Sequence, residues 1–190
     1  MFHKGYKVVC GVDEAGRGPI AGPVVVGAVV LEPWDEIQGV DDSKRLTPHR
    51  REELYMAILR RAKYVSVGIC GVEYIDRFNV LEATYDAARQ ALRALGTEVD
   101  CVISDALRIP GIGFEQIPVI RGDATCHCVA AASIVAKVVR DRLMLQLDQV
   151  CPGYGLAQNK GYGTREHYEA LRRLGPSLVH RRSFRGVVGA

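Results

Sequence analysis

Four acidic residues stand where apolar runs give way to loops. Asp13 and Glu14 follow Lys7–Val12, Asp105 follows Val99–Ser104, and Asp123 comes just after Phe114–Ile120. Adjacent residues on a strand point to opposite faces, so Asp13 and Glu14 cannot both enter one apolar core. Carboxylates at the end of a buried strand must be solvated, paired or metal-bound. Mg²⁺ and Mn²⁺ favour such oxygen ligands. Three strand ends each delivering an acid point to a metal site more strongly than any one of them. The plainer alternative is turn or cap chemistry, which Asp123 could perform for the helix after it.

Around the first acids lies Gly16-Arg17-Gly18, followed by Gly22. The spacing is not that of a dinucleotide fingerprint, and a strand follows instead of a helix. Glycines here let backbone groups approach a ligand closely, and Arg17 adds a phosphate-directed fork. Near the C-terminus, Asn159-Lys160-Gly161-Tyr162-Gly163-Thr164 exposes Tyr162 on a loop beside a lysine. Aromatic stacking beside positive charge is how proteins grip bases or sugars; a packed loop tyrosine is the alternative. Ser133, Lys137, Arg140 and Asp141 share a helix face. There Lys137 could reach a phosphate or simply pair with Asp141 at i,i+4. Cys126-His127-Cys128 lacks a second ligand pair for zinc. No G-x-S-x-G elbow is present.

These residues need elements to position them. Lys7–Val12 reads as a buried strand, and Val24–Leu31 as its antiparallel hairpin partner. Thr47-Pro48 opens a helix running to about Ala62, with Leu54, Ile58 and Leu59 on its apolar side. Tyr64–Val72 is a third strand. Leu81, Tyr85, Ala88, Leu92 and Leu95 mark an amphipathic helix stopped by Gly96. Val99–Ser104 and Phe114–Ile120 are further strands. A long helix spans Cys126 to about Val150, and another spans Thr164–Leu174. The order predicts an α/β fold: one mixed five-stranded sheet flanked by helices, with a C-terminal helical extension.

The 190 residues are 48% hydrophobic and 25% charged, which excludes a disordered or fibrous chain and suits one domain, 1–190. No apolar run reaches the roughly 18 residues of a membrane span. No leader is read at Met1–Gly5. Six cysteines are too sparse for a disulfide framework, and Cys10, Cys70 and Cys101 lie in apolar stretches, so a reduced cytoplasmic protein is expected. The net charge of +3 is unevenly spread: from Gln158 to Ala190 there are seven Lys or Arg residues and two Glu, leaving 1–157 at −2. A basic tail on a mildly acidic body fits either a phosphate-backbone contact or a solvated helix face.

Taken together, the motifs resemble the ribonuclease HII family. The resemblance rests on Asp13-Glu14-Ala15-Gly16-Arg17-Gly18-Pro19 with Ala21-Gly22-Pro23-Val24, then Asp42-Ser43-Lys44-Arg45-Leu46-Thr47. Arg121-Gly122-Asp123-Ala124 with Ala130–Lys137, Lys160–Thr164 and His180-Arg181-Arg182-Ser183-Phe184 follow in order. It implies a ribonuclease H-like fold. It also implies an endonuclease cutting the RNA strand of RNA–DNA hybrids and the 5′ side of single ribonucleotides in duplex DNA, leaving 3′-hydroxyl and 5′-phosphate ends. Asp13, Glu14, Asp105 and Asp123 are then the catalytic and metal-binding acids for Mg²⁺ or Mn²⁺. A pair of ions about 4 Å apart would clamp the scissile phosphate. Gly16, Arg17 and Gly18 would read the ribose 2′-hydroxyl, Tyr162 would stack on the adjacent deoxyribose, and Lys44 with the 152–190 segment would hold phosphates.

The expected partners are thus hybrid and ribonucleotide-containing duplexes, with a monomer as the default and no membrane. Two alternatives stand beside this reading. One is the related type 3 ribonuclease H, which typically adds an N-terminal substrate-binding domain and has a glutamate at the place of Asp123. The other is a non-catalytic nucleic-acid-binding module. One block departs from the family pattern: glycine is expected after the third acid, and this chain has Ala106.

Overall fold

The computed structural model describes residues 5–33 and 35–189. Most of the segment read for a leader, Met1–Lys4, lies outside the described residues. Five strands form one sheet: β1 (Val9–Ala15), β2 (Val24–Val30), β3 (Tyr64–Cys70), β4 (Cys101–Asp105) and β5 (Glu115–Val119). Their order is β3-β2-β1-β4-β5. β1, β2 and β3 pair antiparallel, whereas β1, β4 and β5 run parallel. The expected mixed sheet and its opening hairpin are both present.

Among the described residues there are seven helices: α1 (Pro48–Arg61), α2 (Val72–Phe78), α3 (Val80–Ala94), α4 (Gly122–Thr125), α5 (His127–Val150), α6 (Leu156–Asn159) and α7 (Arg165–Leu174). Local chemistry sets several of their ends. Thr47 Oγ1 accepts the Arg50 amide at the start of α1, with Pro48 in its first turn. Asn79 Oδ1 accepts the Leu81 and Glu82 amides to open α3. Three short helices were not foreseen. The third strand ends at Cys70, and α2 begins at Val72, because Gly71 in extended backbone serves as the helix N-cap. α4 and α6 are single turns, too short for a periodic pattern to reveal. Leu59 and Leu81, read as inward-facing, are exposed at 43% and 37%.

Helices cover both faces of the sheet. α3 packs over Cys10, Val12, Val26 and Ala28 through Ala83, Ala87, Ala88 and Ala91. On the other face α5 and α1 pack over Val29 through Ala131, Ala132, Ile134 and Ile58. α5 can lie flush on β1 because position 11 is glycine: a Cβ there would stand 2.2 Å from the Cys128 carbonyl carbon. That close approach carries Ser133, Lys137 and Arg140 to one end of the central strands. The C-terminal segment packs Ala170, Leu171 and Val187 against Ile20, Ala21 and Met144, at the same end.

Candidate functional site

β1 runs on past its apolar residues to Ala15, paired with Val25, so Asp13 and Glu14 lie within the strand and not beyond it. This is a longer strand than the one read from Lys7–Val12. Asp13 is consequently 6% exposed. It shares the α5 face with Gly11 and has the Ser133 hydroxyl as a hydrogen-bonding neighbour. The parallel register Val12↔Ser104 brings the next residues, Asp13 and Asp105, to the same level of adjacent strands. Asp105 is held by the Gly122 amide, which donates to its Oδ1 at 2.9 Å. Asp123 sits one residue further, in α4, buried at 6%. It does not cap α5, whose N-cap is Cys126. The sheet therefore brings all four predicted acids to one end of β1, β4 and β5.

Their electrostatics follow from that crowding. Burial, then the Glu14 charge, pushes Asp13 up from 3.8 to about 8, with Ser133 opposing and Asp105 adding to the rise. Glu14 is also raised, chiefly by burial, against the pull of Arg17, whose Nη1 lies 3.1 Å from Glu14 Oε1. Lys44 Nζ sits 3.4 Å from Asp123 Oδ2. Burial depresses Lys44, but Asp42, Asp123 and Asp13 outweigh it and raise the ammonium. Arg17 and Lys44 thus each neutralise one acid, while Asp13 has no ion pair among the described residues.

Oxygen donors of this kind suit Mg²⁺ or Mn²⁺. Among the described residues no three Asp, Glu, His or Cys side chains are gathered closely enough to hold a metal ion as they stand. Magnesium usually keeps several waters and is held by one or two carboxylates plus substrate phosphates. An open set around a buried, unneutralised Asp13 fits that habit.

Beside the acids a cleft of about 220 Å³ is lined by Glu14, Gly16, Arg17, Gly18, Lys44 and Tyr162, with Ser133, Lys137 and Arg140 behind them. The Tyr162 ring borders Gly18: a Cβ on that glycine would stand 3.8 Å from it. Every predicted binding residue therefore lies on this cleft. Lys137 does not reach into it freely, since its Nζ bonds Asp141 Oδ1 at 2.6 Å. His127, the middle member of the Cys126-His127-Cys128 triplet, accepts the Ile37 amide at 2.8 Å.

Two residues that hold the site were missed as such. Arg140, expected on a polar face, is 1% exposed, and donates to the carbonyls of Pro23, Lys160 and Ala21 at 3.0, 2.9 and 3.1 Å. Arg181, counted with the basic tail, is 0% exposed. Its guanidinium donates to the carbonyls of Gly16, Arg17 and Gly22 at 2.6–3.0 Å. Gly16, at φ +100°, has to be glycine here, because a Cβ would stand 2.1 Å from Arg140 Nε. Arg181 carried a sequence signal in its motif block and Arg140 carried none, and nothing local distinguishes a buried arginine from a solvated one.

The departure beside the third acid has a conformational consequence. Ala106 adopts φ +50°, and Arg121, flanking Asp123, adopts φ +58°. Both loops that deliver acids carry left-handed non-glycine residues, a strain that concentrates at functional sites. Ala106→Gly is expected to stabilise the protein by about 1 kcal/mol, since alanine is strained there and glycine is not. A urea melt checks this; an unchanged midpoint would refute it.

A mixed sheet in this order, with helices on both faces and acids at the ends of its central strands, defines a ribonuclease H-like nuclease fold. A solved structure from Pyrococcus horikoshii OT3, a ribonuclease H2, matches with a TM-score of 0.80 and 29% identity, covering 95% of each chain. The family model "Ribonuclease HII" matches residues 10–187. Ribonuclease HII of Lachnoclostridium phytofermentans is 49% identical over 97% of this chain and 72% of its own. That of Moorella thermoacetica is 50% identical over 97% of this chain and 90% of its own. The chain belongs to the ribonuclease HII family and is a ribonuclease H endonuclease.

Proposed function

We propose that this endonuclease depends on a divalent metal, Mg²⁺ or Mn²⁺, and cuts the RNA strand of RNA–DNA hybrids. We propose further that it cuts on the 5′ side of a single ribonucleotide in duplex DNA, leaving 3′-hydroxyl and 5′-phosphate ends. The observation that carries this is the cleft lined by Glu14, Gly16-Arg17-Gly18, Lys44, Ser133 and Tyr162, with Asp13 beside Ser133, Asp123 beside Lys44 and Asp105 on the Gly122 amide next to Asp123. A pure binding module gains nothing from four carboxylates beside a polyanion.

Asp13, Glu14, Asp105 and Asp123 are the residues that would hold the metal. The chemistry supplied by divalent ions in such a site is polarisation of a water and of the leaving oxygen, best done by a pair of ions. Lys44, its side chain 77% exposed, is free to turn from Asp123 towards a phosphate. Arg17 sits half-exposed on Glu14 and can do the same.

The 2′-hydroxyl is what separates RNA from DNA, so a reader must touch it. The carbonyls of Gly16 and Arg17 point inward to Arg181. The peptides here are trans, so the Arg17 and Gly18 N–H groups point the opposite way and serve as the donors. Tyr162, 48% exposed against Gly18, offers its ring to the neighbouring deoxyribose.

In this reading residues 1–190 act as one catalytic unit, with 152–190 contacting substrate, and the enzyme works as a monomer in the cytoplasm. Cys10, Cys70, Cys126, Cys128 and Cys151 are free thiols, and no helix among the described residues is long and apolar enough to cross a membrane. The test is a labelled DNA duplex with one ribonucleotide, incubated with Mg²⁺ or Mn²⁺. A cut 5′ to the ribonucleotide is expected. Cleavage of a long hybrid alone would remove the junction role of Gly16-Arg17-Gly18, and cleavage of neither would remove the assigned substrates.

A further inference from the structure

Behind Tyr162 two buried histidines are joined to each other. His167 Nε2 and His180 Nε2 lie 2.9 Å apart, and both side chains are fully enclosed, at 0% and 1% exposure. The groups at the two ends determine where the protons are. The Ser177 amide donates to His180 Nδ1 at 3.1 Å, so that nitrogen is an acceptor and the neutral ring carries its proton on Nε2. His180 Nε2–H therefore donates to His167 Nε2. The His167 proton is then on Nδ1, which lies 2.9 Å from the Tyr162 carbonyl, an obligatory acceptor. Each donor meets an acceptor along the whole chain Ser177–His180–His167–Tyr162, and only one tautomer of each ring allows it. Burial, and for His180 the neighbouring His167, lowers both rings, His180 to about 4, which keeps the chain neutral.

The chain ends on the residue that borders Gly18. Tyr162 lies between the left-handed Lys160 and Gly161 and the N-cap of α7, and its carbonyl accepts the Thr164 amide at 2.8 Å beside the His167 ring. The Tyr154 ring packs on His180 with centroids 4.6 Å apart, backing the relay from the C-terminal core. His180 also pairs with Ala21 across the loop that Arg181 fixes. Two consecutive residues of the C-terminal segment thus anchor the two halves of the cleft: Arg181 the Gly16–Gly18 turn, and His180, through His167, the Tyr162 turn.

We propose that His180 and His167 are positioning residues that set the Tyr162 ring for the ribonucleotide–deoxyribonucleotide junction, and so set the preference for junction over continuous hybrid. This rests on the junction reading of Tyr162. The test compares kcat and KM on a single-ribonucleotide duplex and on a long RNA–DNA hybrid for wild type, His167→Phe, His167→Asn and Tyr162→Ala. His167→Phe removes the bond to the Tyr162 carbonyl and is expected to lower kcat/KM on the junction substrate by about tenfold, mainly through KM, with about threefold or less on the hybrid. His167→Asn places an amide N–H near the position of Nδ1 and is expected to recover most of the loss.

Should His167→Phe not fold, His180→Phe, which leaves the His167–Tyr162 bond unsupported, is compared in the same way. A wild-type ratio between the substrates in the folded variants, or an equal loss on both, overturns the proposal. If Tyr162→Ala also leaves the ratio unchanged, the junction reading of Tyr162 falls with it. If Tyr162→Ala shifts the ratio and the histidine variants do not, only the relay is refuted.

Discussion

Asp13→Asn is expected to lower cleavage by about 10³-fold or more while hybrid binding persists, because in the proposed metal site it removes an anionic ligand and several kcal/mol of transition-state stabilisation go with it. The same change is expected to make the metal-free protein more stable. Asp13 is buried, and burial with the adjacent Glu14 charge raises it from 3.8 to about 8. A carboxyl raised on folding contributes fully below its unfolded value, and that contribution is lost as pH climbs through the folded one. Ionising Asp13 therefore costs stability progressively between pH 4 and about 8. Asparagine carries no such cost. In EDTA at pH 8 the variant should gain about 2–4 kcal/mol over wild type, and near pH 4 almost none. Saturating divalent ions should close the gap by stabilising only the aspartate form. Thermal melts at the two pH values decide it: an equal difference at both would sink the electrostatic account, and retained cleavage would remove Asp13 from the catalytic set.

Arg181→Met is expected to cost about 3–5 kcal/mol, although it replaces a buried charge by an apolar chain of similar length. The reason is what it leaves behind. The carbonyls of Gly16, Arg17 and Gly22 all take hydrogen bonds from this one fully buried guanidinium. Each orphaned buried carbonyl costs about 1–3 kcal/mol. Burial, then the nearby Arg140, lowers Arg181 to about 9, which still leaves it charged at neutral pH. Arg181→Lys should recover only part of the loss, since an ammonium cannot reproduce a planar fork reaching three carbonyls. Urea unfolding measures both variants. A lysine variant as stable as wild type would show that charge, and not the fork, holds the turn. Arg140 fixes the carbonyls of Ala21, Pro23 and Lys160 from the other side, so the paired substitutions should not be additive.

Much of the site was legible without coordinates. β-branched runs ending in acids marked the strands that deliver Asp13, Glu14 and Asp105, because a buried strand needs apolar residues and an acid cannot follow them inward unpartnered. Thr47-Pro48 marked a helix start, because cap chemistry is local. The motif blocks carried the family. Ala106 was visible as a departure, and the structure adds its meaning, a left-handed backbone without glycine.

Other features were out of reach. The extension of β1 through Asp13 and Glu14 depends on pairing with Gly27 and Val26, which a one-strand pattern does not contain. The burial of Arg140 and Arg181 was hidden for a stronger reason. Arginine looks the same in a sequence whether its guanidinium meets water or converging carbonyls. Here all of those carbonyls but that of Lys160 come from a loop more than a hundred residues away, at 16–23. The tautomers of His167 and His180 likewise depend on an amide and a carbonyl brought together only by α7 and the turn after it. The sequence by itself determined which residue types stand at the strand ends and where most elements begin, since those follow from local sterics and alternation. Only the tertiary structure decided which charges are buried, which carbonyls they satisfy and how the acids share one end of the sheet, because desolvation and hydrogen-bond satisfaction are properties of what the rest of the chain places around a residue.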